Sequence, residues 1–227
     1  MTARLKALLL CLILTAFSIQ ASAQEKKVEV SGSYAYSFAE GISIDPVILN
    51  GKTVTSIGVN SGSGFNVTGD YFVTENTSLG FLFARQSSAI TAKGTGPDLK
   101  LADMSIYNYQ FTATYNIGEE TAKLRPFIMG GLGWTQHSPG TFIAINPGSP
   151  LNGAQVSSRN TFAGTIGGGV KYWFAPSVGV KFQARWTPTY IGTTAEGFWC
   201  NPYYCYTVGN SKYSNQGEFG TGLMFRF

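Results

Sequence analysis

Apolar and polar residues alternate with a period of two along most of this chain. The last segment is the clearest. Phe219, Thr221, Leu223, Phe225 and Phe227 share one parity, and Glu218, Gly220, Gly222, Met224 and Arg226 the other. Successive side chains of an extended chain point to opposite faces, so this is a strand with one apolar face. The same reading predicts seven strands upstream. In the first, Val28, Val30, Tyr34, Tyr36 and Phe38 oppose Glu29, Ser31, Ser33, Ala35 and Ser37. In the second, Phe65, Val67 and Tyr71 oppose Asn66, Thr68 and Asp70. Leu79, Phe81 and Phe83 share a face in the third. Tyr107, Tyr109, Phe111, Ala113, Tyr115 and Ile117 alternate with Asn108, Gln110, Thr112, Thr114 and Asn116 in the fourth. The fifth, Leu124 to Trp134, is glycine-rich and weakly patterned, and Ile128, Leu132 and Trp134 are assigned to its apolar face. The sixth sets Phe162, Ile166, Val170, Tyr172 and Phe174 against Ala163, Thr165, Lys171 and Trp173. The seventh sets Val178, Val180, Phe182, Ala184 and Trp186 against Lys181, Gln183 and Arg185.

The connections alternate in length. Short ones fall at Thr74–Thr77, Gly118–Lys123 and Ala175–Pro176, and long ones near 39–62, 88–103, 135–159 and 188–215. Short turns at one end and long loops at the other match a transmembrane barrel, with the long loops outside the cell. An even strand count then puts both termini on the periplasmic side. The polar face is Gly, Ser, Thr, Asn and Gln with few charges, unlike the Lys- and Glu-rich exterior of a soluble sandwich. Small polar residues suit a narrow lumen. Aromatic residues gather at the strand ends: Tyr71, Tyr115, Phe174 and Phe227 at one, Tyr36, Tyr107, Trp134 and Trp186 at the other. Such rings favour the two membrane interfaces. The expected fold is therefore all-β, an eight-stranded antiparallel up-and-down transmembrane β-barrel.

The start of the chain and its composition agree. Arg4 and Lys6 precede an apolar run from Leu8 to Phe17, and Ala21-Ser22-Ala23 has the small-x-small form of a signal cleavage site. The run is too short to span a bilayer. Cys11 lies inside it, without the small residue that precedes a lipidated cysteine. Cleavage after Ala23 defines a signal peptide at 1–23 and one barrel domain at 24–227. Charged residues are 12% of the chain and aromatics 14%, with a net charge of +4. That excludes the charge-rich, aromatic-poor composition of disordered chains. No strongly basic stretch offers a nucleic-acid surface.

Candidate chemistry is sparse. Glu29, Asp70 and Glu218 on the polar face are acidic, and Lys171, Lys181, Arg185 and Arg226 are basic. In a lumen that side chains just fill, these would form a charge network that plugs the bore; a narrow gated path for ions or small solutes is the alternative. Arg85 falls on the apolar row of the third strand. It would either reach up to the interface or pair with a lipopolysaccharide phosphate. No zinc-type spacing of Cys and His occurs, no phosphate loop occurs, and no cofactor is expected. Gly167-Gly168-Gly169 sits within a strand and suits close packing or a bend.

The leader, the aromatic-ended last strand and the segment Arg125 to Trp134 resemble the small eight-stranded outer-membrane barrels of the OmpX, opacity-protein and OmpA-barrel type. The resemblance implies that Leu223, Phe225 and Phe227 are read by the barrel-assembly machinery after periplasmic chaperones deliver the chain. It further implies residence in the outer membrane of a Gram-negative-type bacterium, with lipopolysaccharide as a neighbour. It says little about activity, since such barrels act as adhesins, enzymes, channels or anchors. Lipid A deacylases are barrels of this size whose catalytic His and Ser are separated by one residue. Here His137 and Ser138 are adjacent and precede Pro139-Gly140, which reads as a polar loop, and a lipid-modifying enzyme is disfavoured. A structural or surface-interaction role without catalysis is expected.

The final long loop carries Cys200-Asn201-Pro202-Tyr203-Tyr204-Cys205. In an oxidising compartment this pair is expected to form a disulfide, worth about 2 kcal/mol by chain entropy. Alkylation should add mass to both cysteines only after reduction; labelling without reductant would show free thiols. Phe198, Trp199, Tyr203, Tyr204 and Tyr206 on this loop would either bind an extracellular ligand or pack over the barrel mouth.

Overall fold

The computed structural model describes residues 27–39, 42–49, 51–141, 158–190 and 213–227. Ten strands run through them: β1 (Val28–Ala39), β2 (Ile42–Leu49), β3 (Lys52–Val59), β4 (Gly62–Phe72), β5 (Thr77–Gly94), β6 (Leu99–Asn116), β7 (Leu124–Pro139), β8 (Arg159–Ala175), β9 (Val178–Tyr190) and β10 (Tyr213–Arg226). Eight of them close a barrel in the order β4-β1-β10-β9-β8-β7-β6, with β5 pairing both β4 and β6. Every neighbouring pair is antiparallel. Closure leaves no free edge around the wall, the condition for a sheet in lipid.

The seam joins the two ends of the chain. Val28 N–H donates to the Phe227 carbonyl at 3.1 Å, and Phe227 N–H to the Val28 carbonyl at 2.8 Å. Following paired residues around the wall from Glu29 leads to Asp70, Gly80, Thr112 and Gly131. The β8–β9 and β9–β10 registers then carry the row to Thr187, Gln216 and Ala39. One circuit advances from residue 29 to 39, ten positions, a stagger that corresponds to a strand tilt of about 40°. The period-two faces fall as expected on all eight barrel strands. The apolar rows, including Ile128, Leu132 and Trp134 of the glycine-rich β7, are exposed, and the polar rows are buried.

Two of the expected long loops are mostly strand. The segment near 39–62 holds the β2–β3 hairpin, and the segment near 88–103 is the upper part of β5 and β6, leaving only 95–98 between them. β3 prolongs β4 beyond a break at 60–61, with β2 paired along its other side, and β3 pairs with β5 from Val59↔Ile90 to Val54↔Gly94. Asn60 holds the break: its N–H donates to the Ala89 carbonyl at 2.8 Å, its Oδ1 accepts from Thr91 at 2.6 Å, and its carbonyl accepts from the Ser88 hydroxyl. Both hairpin tips use glycines with positive φ, Gly51 at 72° and Gly96 at 95°, a conformation glycine adopts without a Cβ clash. The reason these segments order is burial. Val54, Ile57, Ile90, Ala92, Leu101, Ala102, Met104 and Ile106 form one apolar cluster. The result is a four-stranded extension, β2-β3-β5-β6, at the loop end.

Candidate functional site

The lumen is filled by its own side chains. At the turn end, Lys171 on β8 reaches across the bore to Glu29 on β1 at 2.5 Å, the two being 1% and 0% exposed. Arg226 on β10 pairs with the other Glu29 oxygen at 3.5 Å and with Glu120, in the β6–β7 turn, at 3.4 Å. Open depressions of about 500 and 410 Å³ border Glu120. Asp70 faces Lys181 and Lys171 within electrostatic reach. Higher up, Arg185 binds Glu218 at 2.7 Å, and Glu218 also accepts from Asn66 Nδ2 at 3.0 Å and the Ser37 hydroxyl at 3.4 Å. Near the loop end, Gln216 on β10 donates to Gln86 on β5 at 2.5 Å, and Thr135 donates to Asn108 at 2.6 Å. The three bridges Lys171–Glu29, Arg226–Glu120 and Gln216–Gln86 join elements that are not neighbours in the wall.

All seven expected lumen charges are therefore buried and brought together. One more was missed. Arg125 at the start of β7 is also buried, with Nη2 donating to Asn76 Oδ1 at 2.6 Å and to the Glu75 carbonyl at 3.2 Å. With Arg125, the four bases and three acids expected in the lumen become five against three. Aromatic faces take up part of it. Lys181 Nζ lies 5.2 Å and Lys171 Nζ 5.5 Å from the centre of Phe127, while Arg226 lies 4.5 Å from Trp173 and 5.0 Å from Phe72. A cation over a ring gains about 2 kcal/mol when desolvated. Phe72, Phe127 and Trp173 point inward against the general rule of the apolar face for this reason. Extending the parity of Ile128 one residue each way would have found Phe127, and three residues back Arg125.

Outside, one surface sector changes character within a single register step. On β4 to β7, the row Val67–Phe83–Tyr109–Trp134 is apolar and aromatic, with Tyr109 stacked on Trp134 at 5.6 Å and Phe83 at 5.3 Å from Tyr109. The next row is Phe65–Arg85–Tyr107–Gln136, and the one above is Ser63–Ser87–Ser105–Ser138. Arg85 is exposed on the outer face, with its guanidinium 5.7 Å from the Tyr107 ring.

His137 and Ser138 lie within β7, not in a polar loop. The strand continues to Pro139 because β6 supplies partners as far as Met104, and His137 is buried opposite Ile106 while Ser138 pairs with Ser105 on the other face. Adjacent strand residues cannot turn to one substrate. Among the described residues, no group of three His, Cys, Asp or Glu side chains could hold a metal ion. Leu223 and Phe227 are exposed on the outer face of β10, and Phe225 shares their parity. Ala23, Cys200, Cys205 and the aromatic residues 198–206 lie outside the described residues.

Residues 9–227 match the family described as the outer membrane protein beta-barrel domain. Two solved structures share the architecture. Neisserial surface protein A aligns over 88% of this chain and 97% of its own at 16% identity, with a TM-score of 0.55. The outer membrane protein OprG from Pseudomonas aeruginosa aligns over 89% and 96%, also at 16% identity, with a TM-score of 0.57. At that identity the likeness is one of fold. No curated protein matches the chain in sequence.

Proposed function

Because the chain belongs to the outer-membrane protein β-barrel family, and so resides in an outer membrane, we propose that it is a sealed barrel that works at its loop end. Its role is structural or one of surface interaction, rather than the passage of solutes. The observation that carries this reading is the set of side-chain bridges across the bore, Lys171–Glu29, Arg226–Glu120 and Gln216–Gln86. An eight-stranded barrel is only wide enough for its side chains, and these three contacts cross it. The β2-β3-β5-β6 extension adds an ordered platform that places Lys93 and Lys100 in solvent. The signal peptide cleaved after Ala23 would direct export, and Leu223, Phe225 and Phe227 would present the assembly signal to the barrel-assembly machinery. The loop stapled by Cys200 and Cys205 would be a further contact for an extracellular ligand.

A narrow channel is the second reading, favoured by the Thr, Gln and Asn side chains that line much of the upper lumen. Planar-bilayer recording decides between the two. The wild-type protein is expected to show no stable openings. Long-lived openings of uniform size would overturn the sealed-barrel reading and support the channel.

A further inference from the structure

We propose that the outer face of β4 to β7 is a seat for one phosphorylated glycolipid of the outer leaflet, with Arg85 as the phosphate ligand. The proposal rests on the membrane placement of the barrel and not on whether its lumen conducts.

Arg85 is the one charged residue among the apolar outward rows of the eight barrel strands, as far as the described residues go. It stands eight residues above Thr77, about 20 Å along the axis at 3.4 Å per residue and a tilt near 40°. That is within the apolar band of about 25 Å of such barrels, where a guanidinium facing hydrocarbon is costly. Among the described residues no carboxylate comes within ion-pair distance of it; its recorded partner is the Tyr107 ring. The outward acid Asp103, four residues along β6 from Tyr107, pairs with Lys100 at 2.7 Å. A cation at this level without a protein anion calls for one from the membrane.

The neighbours fit a sugar phosphate with acyl chains. Below Arg85 stands the aromatic wall of Phe83, Tyr109 and Trp134, flat surface against which saturated chains can lie. Above it stands the hydroxyl row Ser63, Ser87 and Ser105, with Gln136 one strand beyond Tyr107. Hydroxyls and an amide bind sugar oxygens, and the guanidinium binds phosphate through two parallel N–H bonds. A plain phospholipid would use the cation and the wall but leave the serine row unpaired. The occupant is therefore an acylated, phosphorylated saccharide rather than a glycerophospholipid.

The test uses the full mature barrel in detergent, with bound lipid counted by native mass spectrometry. The probes are diphosphorylated lipid A, its dephosphorylated form and phosphatidylglycerol. Wild type is expected to retain one diphosphorylated lipid A about tenfold more tightly than either other lipid. Arg85→Ala is expected to abolish that preference, and Arg85→Lys to restore part of it. The double variant Ser87→Ala/Ser105→Ala should narrow the gap between lipid A and phosphatidylglycerol. A heat-dependent gel shift shows that each variant is folded. Equal retention of the two lipid A forms by wild type, or unchanged retention in Arg85→Ala, would mean that Arg85 only reaches for the interface, and the proposal would fall. Equal retention of phosphatidylglycerol and lipid A by wild type would overturn the saccharide assignment.

Discussion

Glu29→Ala is expected to lower the unfolding free energy of the barrel by about 3–5 kcal/mol, the usual cost of removing one partner from a buried ion pair. Glu29 is wholly buried and neutralises Lys171 at 2.5 Å and Arg226 at 3.5 Å. Its loss leaves five lumen bases facing Asp70 and Glu218, with Lys171 and Arg226 only 1% and 6% exposed. The Phe72, Phe127 and Trp173 faces hold cations but do not cancel charge. Equilibrium urea unfolding in lipid vesicles, followed by tryptophan fluorescence, reads the change. Glu29→Gln should fall between wild type and Ala, because it keeps the volume and some hydrogen bonding. Lys171→Met in the Glu29→Gln background should recover part of the loss, since the surplus charge goes with it. A Glu29→Ala barrel within about 1 kcal/mol of wild type would mean that the pair is solvated, and the plug with it.

Gly169→Ala is expected to prevent assembly, seen as loss of the folded band on an unheated gel. Gly169 faces the lumen between Phe127 and Gln183. A Cβ there would overlap the Phe182 carbonyl oxygen and come to 2.8 Å from the Gln183 Cα. Both are backbone atoms of β9, so the wall itself must shift rather than a side chain. Gly133 against the Tyr109 carbonyl and Gly222 against the Gly32 carbonyl repeat the arrangement. At these positions the bent strands bring the inward Cβ site against the neighbour's backbone, and glycine is the residue that fits. Gly32→Ala and Gly69→Ala are the controls. Both positions face outward with nothing within 4 Å, and both variants should fold as wild type does. A folded band for Gly169→Ala equal to the controls would refute the steric argument.

The wall of the barrel was readable from the chain and its contents only in part. Lipid demands an apolar outer row, so parity alone assigned every barrel strand, down to Ile128, Leu132 and Trp134 between the glycines of β7. Within the lumen the charged residues were visible by the same parity, but their partners were not. Lys171 meets Glu29 across the bore, and that distance depends on a stagger of ten residues that only closure sets. The extension was missed because the outer rule lapses beyond the membrane. There the serine- and threonine-rich stretch 52–62 has the composition of a loop, and its few apolar residues, Val54 and Ile57, are buried against Ile90 and Ile106 instead of facing lipid. One local signal stood in plain view: Asn50-Gly51 is a preferred two-residue hairpin turn. Arg125 and Phe127 were missed because the parity of β7 was applied to its large outward residues and not carried back through Pro126.

The polar step at Arg85 has a mechanical consequence. β5 and β9 lie four places apart in a ring of eight, on opposite sides of the barrel. On β5 the outward apolar run ends at Phe83, six residues above Thr77. On β9 it continues from Val178 through Trp186 to Tyr190, twelve residues. The outward apolar run is thus roughly half as tall on β5 as on β9. A bilayer of uniform thickness cannot match both. Either the axis leans toward β5 or the lipid thins beside it, and in each case the barrel has a front and a back. Neighbouring proteins in the same membrane would meet a different bilayer thickness according to the side from which they approach.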